Sequence, residues 1–150
     1  TVDVLLANLQ DVRAALGDGR AMRALHYFDE VARVDRQREA LEAGDFPLFL
    51  KCVRLSGASS AQFLQNVSPR DTGSGERQPA MLIQGLCAHL LSEEGAWRIH
   101  GGGFAGCIQC LVPISGYEGF RAAMDGYYGE GACFELRIRG CGAYRIPEEE

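Results

Sequence analysis

Three consecutive glycines, Gly101, Gly102 and Gly103, followed closely by Gly106, constrain this chain more than any other feature of its sequence. Such a run is costly in backbone entropy and marks strained dihedrals or a backbone brought close to something else. Residues 96–100 and 107–113 on either side read as short strands, so the glycines join two strands. Two readings stay open from spacing alone. The loop aims its N–H groups at phosphate oxygens, or its missing side chains make room for a packed neighbour. It is not a Walker loop, because no Gly-Lys-Ser/Thr follows, and it opens no helix, so the dinucleotide-binding fingerprint fails as well.

Upstream of the glycines the apolar period is helical. Val2, Leu5, Leu6, Leu9, Val12 and Leu16 predict a helix over residues 2–16, ended by Gly17-Asp18-Gly19. A longer helix is expected over 20–43, with Met22, Leu25, Phe28, Ala32 and Leu41 on its apolar side and a solvated, charged middle. Asp45 is a good N-cap for a third helix, with Pro47 tolerated in the first turn. Ser56-Gly57-Ala58 reads as a turn, and residues 59–67 as a short helix. The stretch 68–78 holds Pro69, Asp71, Gly73, Ser74 and Gly75 and reads as a mobile surface loop. Pro79 suits the start of a helix reaching Leu91.

Downstream the period changes. A helix is marked by Tyr117, Phe120, Met124 and Tyr127 and stopped by Gly129 and Gly131. Phe134, Leu136 and Ile138 alternate with Glu135, Arg137 and Arg139, a strand with one dry and one wet face. Residues 143–146 read as a last short strand. The second half is thus β-β-α-β-β, and the expected fold class is α+β, an antiparallel sheet with helices on one face.

With 150 residues, 47% of them hydrophobic and 23% charged, the chain reads as a single globular domain over 1–150. No apolar run reaches the roughly 18 residues that span a bilayer, so no membrane partner is expected. A net charge of −5 argues against nucleic acid, whose phosphates draw Lys and Arg. The six cysteines, Cys52, Cys87, Cys107, Cys110, Cys133 and Cys141, read as reduced and mostly buried thiols of a cytoplasmic protein, since no secretory signal is legible. The chain begins at Thr1 rather than Met, which reads as a processed chain or a piece of a longer one.

Little else carries chemistry by itself. Cys107 and Cys110 have redox or zinc spacing, but residues three apart in a strand face opposite sides, and no further ligand set is in view, so no metal site is expected. His100 could act as a base or phosphate contact, or be a hydrogen-bonded structural residue. His26 and His89 read as surface or half-buried. Asp29, Glu30, Glu39 and Glu42 read as a solvated face rather than an acid/base pair. Ser56 to Ala61 could open a helix onto an anion, or be a plain connection.

The order of these pieces resembles the C-terminal half of a galactokinase, a member of the GHMP superfamily of small-molecule kinases. Arg23-Ala24-Leu25-His26 with Glu30 and Arg33-Val34 is similar to that family's R-A-x-H, E, R-V helix. Ala40-Leu41 with Gly44-Asp45-Phe46 and Phe49 resembles its A-L-x-x-G-D segment. Ser56-Gly57, Ser59-Ser60 and Leu64-Gln65-Asn66 match the turn and helix that follow. His100-Gly101-Gly102-Gly103-Phe104-Ala105-Gly106-Cys107 resembles its third signature motif, with Ala105 replacing a glycine.

The resemblance implies a ferredoxin-like domain with additional helices. It implies transfer of the ATP γ-phosphate, with Mg2+, to the 1-hydroxyl of galactose by a longer polypeptide. Gly101, Gly102, Gly103, Phe104, Ala105 and Gly106 would lie beside the nucleotide phosphates and support the phosphate loop of an N-terminal half, with His100 a neighbour of the cleft. No catalytic residue has a counterpart in this chain, which would be inactive alone and bind ATP weakly. Its partners would be that N-terminal half and the sugar, with self-association through the exposed cleft face. A sugar- or nucleotide-binding module without kinase activity, or a related kinase acting on another sugar or small alcohol, are the rivals.

Overall fold

The computed structural model describes residues 1–67, 79–103, 107–138 and 140–142. It is an α+β structure, with 68% of the described residues helical and, among them, a small antiparallel sheet of two strands. The chain divides into two compact units, Thr1–Gly116 and Tyr117–Glu150. No helix among the described residues is long and apolar enough to cross a membrane.

The first unit opens with α1 (Val2–Ala7) and α2 (Leu9–Leu16) where the apolar spacing predicts one helix. Asn8 interrupts it. The Asn8 side chain donates to Val4 O at 2.8 Å, the local bonding by which Asn competes with a continuing helix. Then α3 (Asp18–Glu42) runs almost as expected. Its buried residues are Ala21 and Ala40, whereas Ala32 and Leu41, expected on the apolar side, are exposed. Asp45 caps α4 (Phe46–Ser59) by accepting from Leu48 N–H at 3.0 Å, with Pro47 in the first turn.

The expected turn at Ser56-Gly57-Ala58 does not occur. Helix α4 continues through it and passes into a π-helical turn, Ser60–Leu64. Gly57 is a packing residue rather than a breaker. A Cβ there would lie 2.8 Å from the carbonyl oxygen of Trp97 and 3.2 Å from Cβ of Arg98, on the strand that α4 crosses. Residues 68–78 lie outside the described residues, and α5 (Pro79–Leu91) starts at its proline as expected.

Strands β1 (Ala96–Ile99) and β2 (Ile108–Leu111) pair antiparallel, Ala96 opposite Leu111 and Ile99 opposite Ile108. Ala96 and Leu111 pack with Phe49, Leu50 and Val53 of α4. Ile99 and Ile108 pack with Ala61, Val67 and Ala80. Because these two pairs are three residues apart, they point to opposite faces. Helix α4 thus covers the hairpin at Ala96 and Leu111, and the π-helical turn, Val67 and α5 cover it at Ile99 and Ile108. Arg54 closes the unit, donating to Glu93 O at 2.9 Å and Gly95 O at 2.6 Å.

The second unit carries α6 (Tyr117–Tyr128), with Phe120 and Met124 buried, and ends it at Gly129 and Gly131, both at positive φ. Asp125 accepts from Cys133 N–H at 3.3 Å. The alternation at 134–138 forms no strand. Phe134, Leu136 and Ile138 are 72%, 67% and 93% exposed, and the ladder that would give the pattern a dry face is absent among the described residues. Residues 143–146, the other expected strand, lie outside the described residues, as does Arg139.

Two glycine-to-alanine exchanges separate packing from propensity. Gly57→Ala should destabilise the chain by about 1–3 kcal/mol, because the strand backbone must move aside. Gly85, exposed in α5 with nothing near its missing Cβ, should when changed to Ala stabilise it by roughly 0.5–1 kcal/mol. Urea denaturation of the two variants beside the parent chain measures both signs.

Candidate functional site

The site is built outward from a polar seam between α3 and α4. His26, Glu30 and Arg33 recur at helical spacing on one face of α3, and Ser56 and Ser59 on one face of α4. The seam joins them directly. Ser56 Oγ, fully buried, donates to Glu30 Oε2 at 2.6 Å, and His26 Nδ1 and Ser59 Oγ share a 2.9 Å hydrogen bond. The other carboxylate oxygen of Glu30 takes the Arg33 guanidinium, and Arg98 Nη1 on β1 stands 4.0 Å from Oε2. A carboxylate taken partly out of water needs this full set of donors, because desolvation otherwise outweighs attraction to any single cation.

The seam continues into the π-helical turn. One extra residue in that turn lets the adjacent Ser59 and Ser60 serve different partners. Ser60 Oγ donates to Asn66 Oδ1 at 3.0 Å, while Gln65 N–H closes on Ser60 O at 3.1 Å. Gln65 is left-handed, with φ of 54°, and turns the chain so that Asn66 is buried. Asn66 in turn meets the glycine bend. A Cβ at Gly103 would lie 2.5 Å from the Asn66 carbonyl oxygen, and Gly103 has φ of +80°. Glycine is required there twice, by conformation and by contact.

Gly101 and Gly102 are different. Gly101 has φ of +89°, both are exposed, and among the described residues nothing lies within 4 Å of a Cβ built on either. No hydrogen bond among the described residues uses the N–H groups of Gly101, Gly102 or Gly103. The bend thus combines one glycine fixed by packing with two that present bare backbone. His100 is exposed at the end of β1. Phe104, Ala105 and Gly106 lie outside the described residues.

Several sequence readings change here. Glu30, read among solvated acids, is half-buried and fully engaged. Ser56 and Ser59 lie within α4, where backbone N–H groups are already committed, so this stretch opens no helix onto an anion. The thiols are not mostly buried. Cys52 and Cys87 are, whereas Cys107 and Cys141 are exposed and Cys110 and Cys133 half-buried. Cys110 meets Cys87 of α5, with the sulfurs 3.5 Å apart. The spacing of 26, 30 and 33 against 56 and 59 is the signal by which the seam could have been found. Among the described residues no group of three or more His, Cys, Asp or Glu is placed to hold a metal ion.

Burial, then the positive charges of Arg33 and Arg98, pull His26 below its ordinary value, with Asp29 opposing. The folded chain therefore binds a proton at His26 less readily than the unfolded chain. This contribution to stability is complete above the unfolded pKa, about 6.5, and is lost as pH falls through the lower folded value. The urea midpoint should drop on acidification below about pH 6.5, and His26→Gln should flatten that part of the profile. An unchanged profile in the variant would remove His26 from the account.

No protein-family model matches the chain, and no solved structure matches it at a significant level.

Proposed function

We propose that this chain is the C-terminal part of a galactokinase-like enzyme, a cytoplasmic sugar kinase of the GHMP superfamily. The longer polypeptide would transfer the ATP γ-phosphate to the 1-hydroxyl of galactose, and this chain would form one wall of the cleft. The observation that carries the reading is the exposed backbone at Gly101 and Gly102, just beyond β1, whose N–H groups make no hydrogen bond among the described residues. Support also comes from convergence. Residues from the separate pieces of the resemblance meet in adjoining contacts, His26 with Ser59, Glu30 with Ser56 and Arg33, Ser60 with Asn66, and Asn66 with Gly103 of the bend. On this reading the domain is the ferredoxin-like one of the superfamily with additional helices.

The residues present suit a nucleotide phosphate, since an open glycine backbone allows oxygen atoms to approach where any side chain would stand in the way. ATP with Mg2+, when bound, would supply the transferable phosphoryl group. The chain's own part is positional. Gly103 anchors the bend on Asn66, the seam holds Asn66, and Gly101 and Gly102 offer N–H donors to the phosphates and to the phosphate loop of the N-terminal half. In phosphoryl transfer most catalysis is positioning and charge neutralisation, so a non-catalytic wall still governs turnover. The catalytic base belongs to the other half, and this chain alone should be inactive.

ADP release by the longer polypeptide with ATP, Mg2+ and galactose is the test. Galactose-dependent turnover by it, and none by this chain alone, is the expected result. Turnover with a different sugar only would replace the substrate, and none with any sugar would overturn the kinase reading. Gly102→Val assigns the loop's role, because among the described residues nothing lies within 4 Å of a Cβ at that position. Stability should change by less than about 0.5 kcal/mol while kcat/KM falls at least about tenfold. Parent-like turnover in that variant would leave the bend a packing device only.

A further inference from the structure

We propose that Cys87 and Cys110 are an oxidisable dithiol that closes to a disulfide between α5 and β2. The inference is independent of the kinase reading. The two sulfurs are already 3.5 Å apart, and both side chains carry a thiol. Their meeting is a product of the packing. Ala80 and Cys87 are seven residues apart and share a face of α5, and Ile108 and Cys110 share a face of β2. Ile108 packs against the buried cluster that contains Ala80, and the two thiols meet where α5 and β2 adjoin. Closing to a bond of about 2.05 Å requires the sulfurs to approach by about 1.5 Å.

The two thiols have different surroundings. Cys87 is fully buried, whereas Cys110 is half-buried and accessible to a small oxidant. The hydrogen bond with Cys110 draws the Cys87 thiol below its ordinary value against the opposing effect of burial. With a peroxide as oxidant, Cys110 is the first to react. Its thiol and hydrogen peroxide give a sulfenic acid and one water. The Cys87 sulfur then attacks Cys110 Sγ, the S–O bond breaks, and the Cys87 proton leaves with the hydroxyl as a second water. Two thiols lose two electrons and two protons in all, and the peroxide is reduced to two waters. The covalent loop runs from Cys87 to Cys110 and contains β1 and the glycine bend, so oxidation would tie the hairpin to α5.

The test uses the native full chain treated with a small molar excess of hydrogen peroxide, alkylated, and digested with trypsin. Cleavage at Arg77, Arg98 and Arg121 leaves Cys87 in peptide 78–98 and Cys110 in peptide 99–121, together with Cys107. A Cys107→Ser chain, altered at an exposed position, removes that ambiguity. Expected are a cross-linked pair of these peptides in both chains, reversal by dithiothreitol, and a Tm about 5 °C or more higher in the oxidised form. Alkylated Cys87 and Cys110 after peroxide treatment, with oxidation confined to the exposed Cys107 and Cys141, would overturn the proposal. So would a cross-link that forms only in urea.

Discussion

The Glu30 carboxylate sets the geometry of the first unit. It is held between α3 and α4 with Arg33 beside it, Ser56 donating to it and Arg98 facing it from β1. A charge so placed is tolerated only while its donors stay in reach, which fixes the rotation of α4 about its own axis. With Ser56 turned to α3, the next residue, Gly57, faces the β1 backbone, and Leu50 and Val53 cover Ala96. Helix α3 buries Ala21 and Ala40 and half-buries Met22, Leu25 and Phe28, and these polar contacts add direction to that apolar packing.

From there each constraint passes to the next. The π-helical turn adds the residue that lets Ser59 hold His26 while Ser60 holds Asn66. The left-handed Gln65 then delivers the Asn66 carbonyl to the one place on the bend where no side chain fits. The bend thus meets Asn66 through the close approach at Gly103, and Ser60 holds the Asn66 side chain, while among the described residues nothing packs on the Cβ positions of Gly101 and Gly102.

Much of the local structure was legible in the sequence, because it is encoded locally. The Asp45 cap, the Pro79 start, the Gly129 stop and the hairpin around the glycines follow from propensities that act within a few residues. What failed was encoded by distant partners. Ser56-Gly57-Ala58 has the composition of a turn, yet Glu30 and Trp97, far away in sequence, use the serine and the glycine as packing groups inside a helix. Glu30 reads by itself as one more surface acid, and only its spacing with His26 and Arg33, set against that of Ser56 and Ser59, points to the seam. The alternation at Phe134, Leu136 and Ile138 states that a strand would have a dry face, but not which strand would pair with it. The contact between Cys87 and Cys110 likewise exists only once α5 and β2 are packed.

The most direct measurement is a double-mutant cycle on Glu30→Gln and Ser56→Ala, with stabilities taken from urea denaturation of the full chain. If the carboxylate and the buried hydroxyl depend on each other, the double variant should be more stable than the sum of the two losses predicts, by about 1.5–3 kcal/mol. Additive losses, within about 0.5 kcal/mol, would mean that the seam does not organise the packing of α4 and that the bend owes its position to something else.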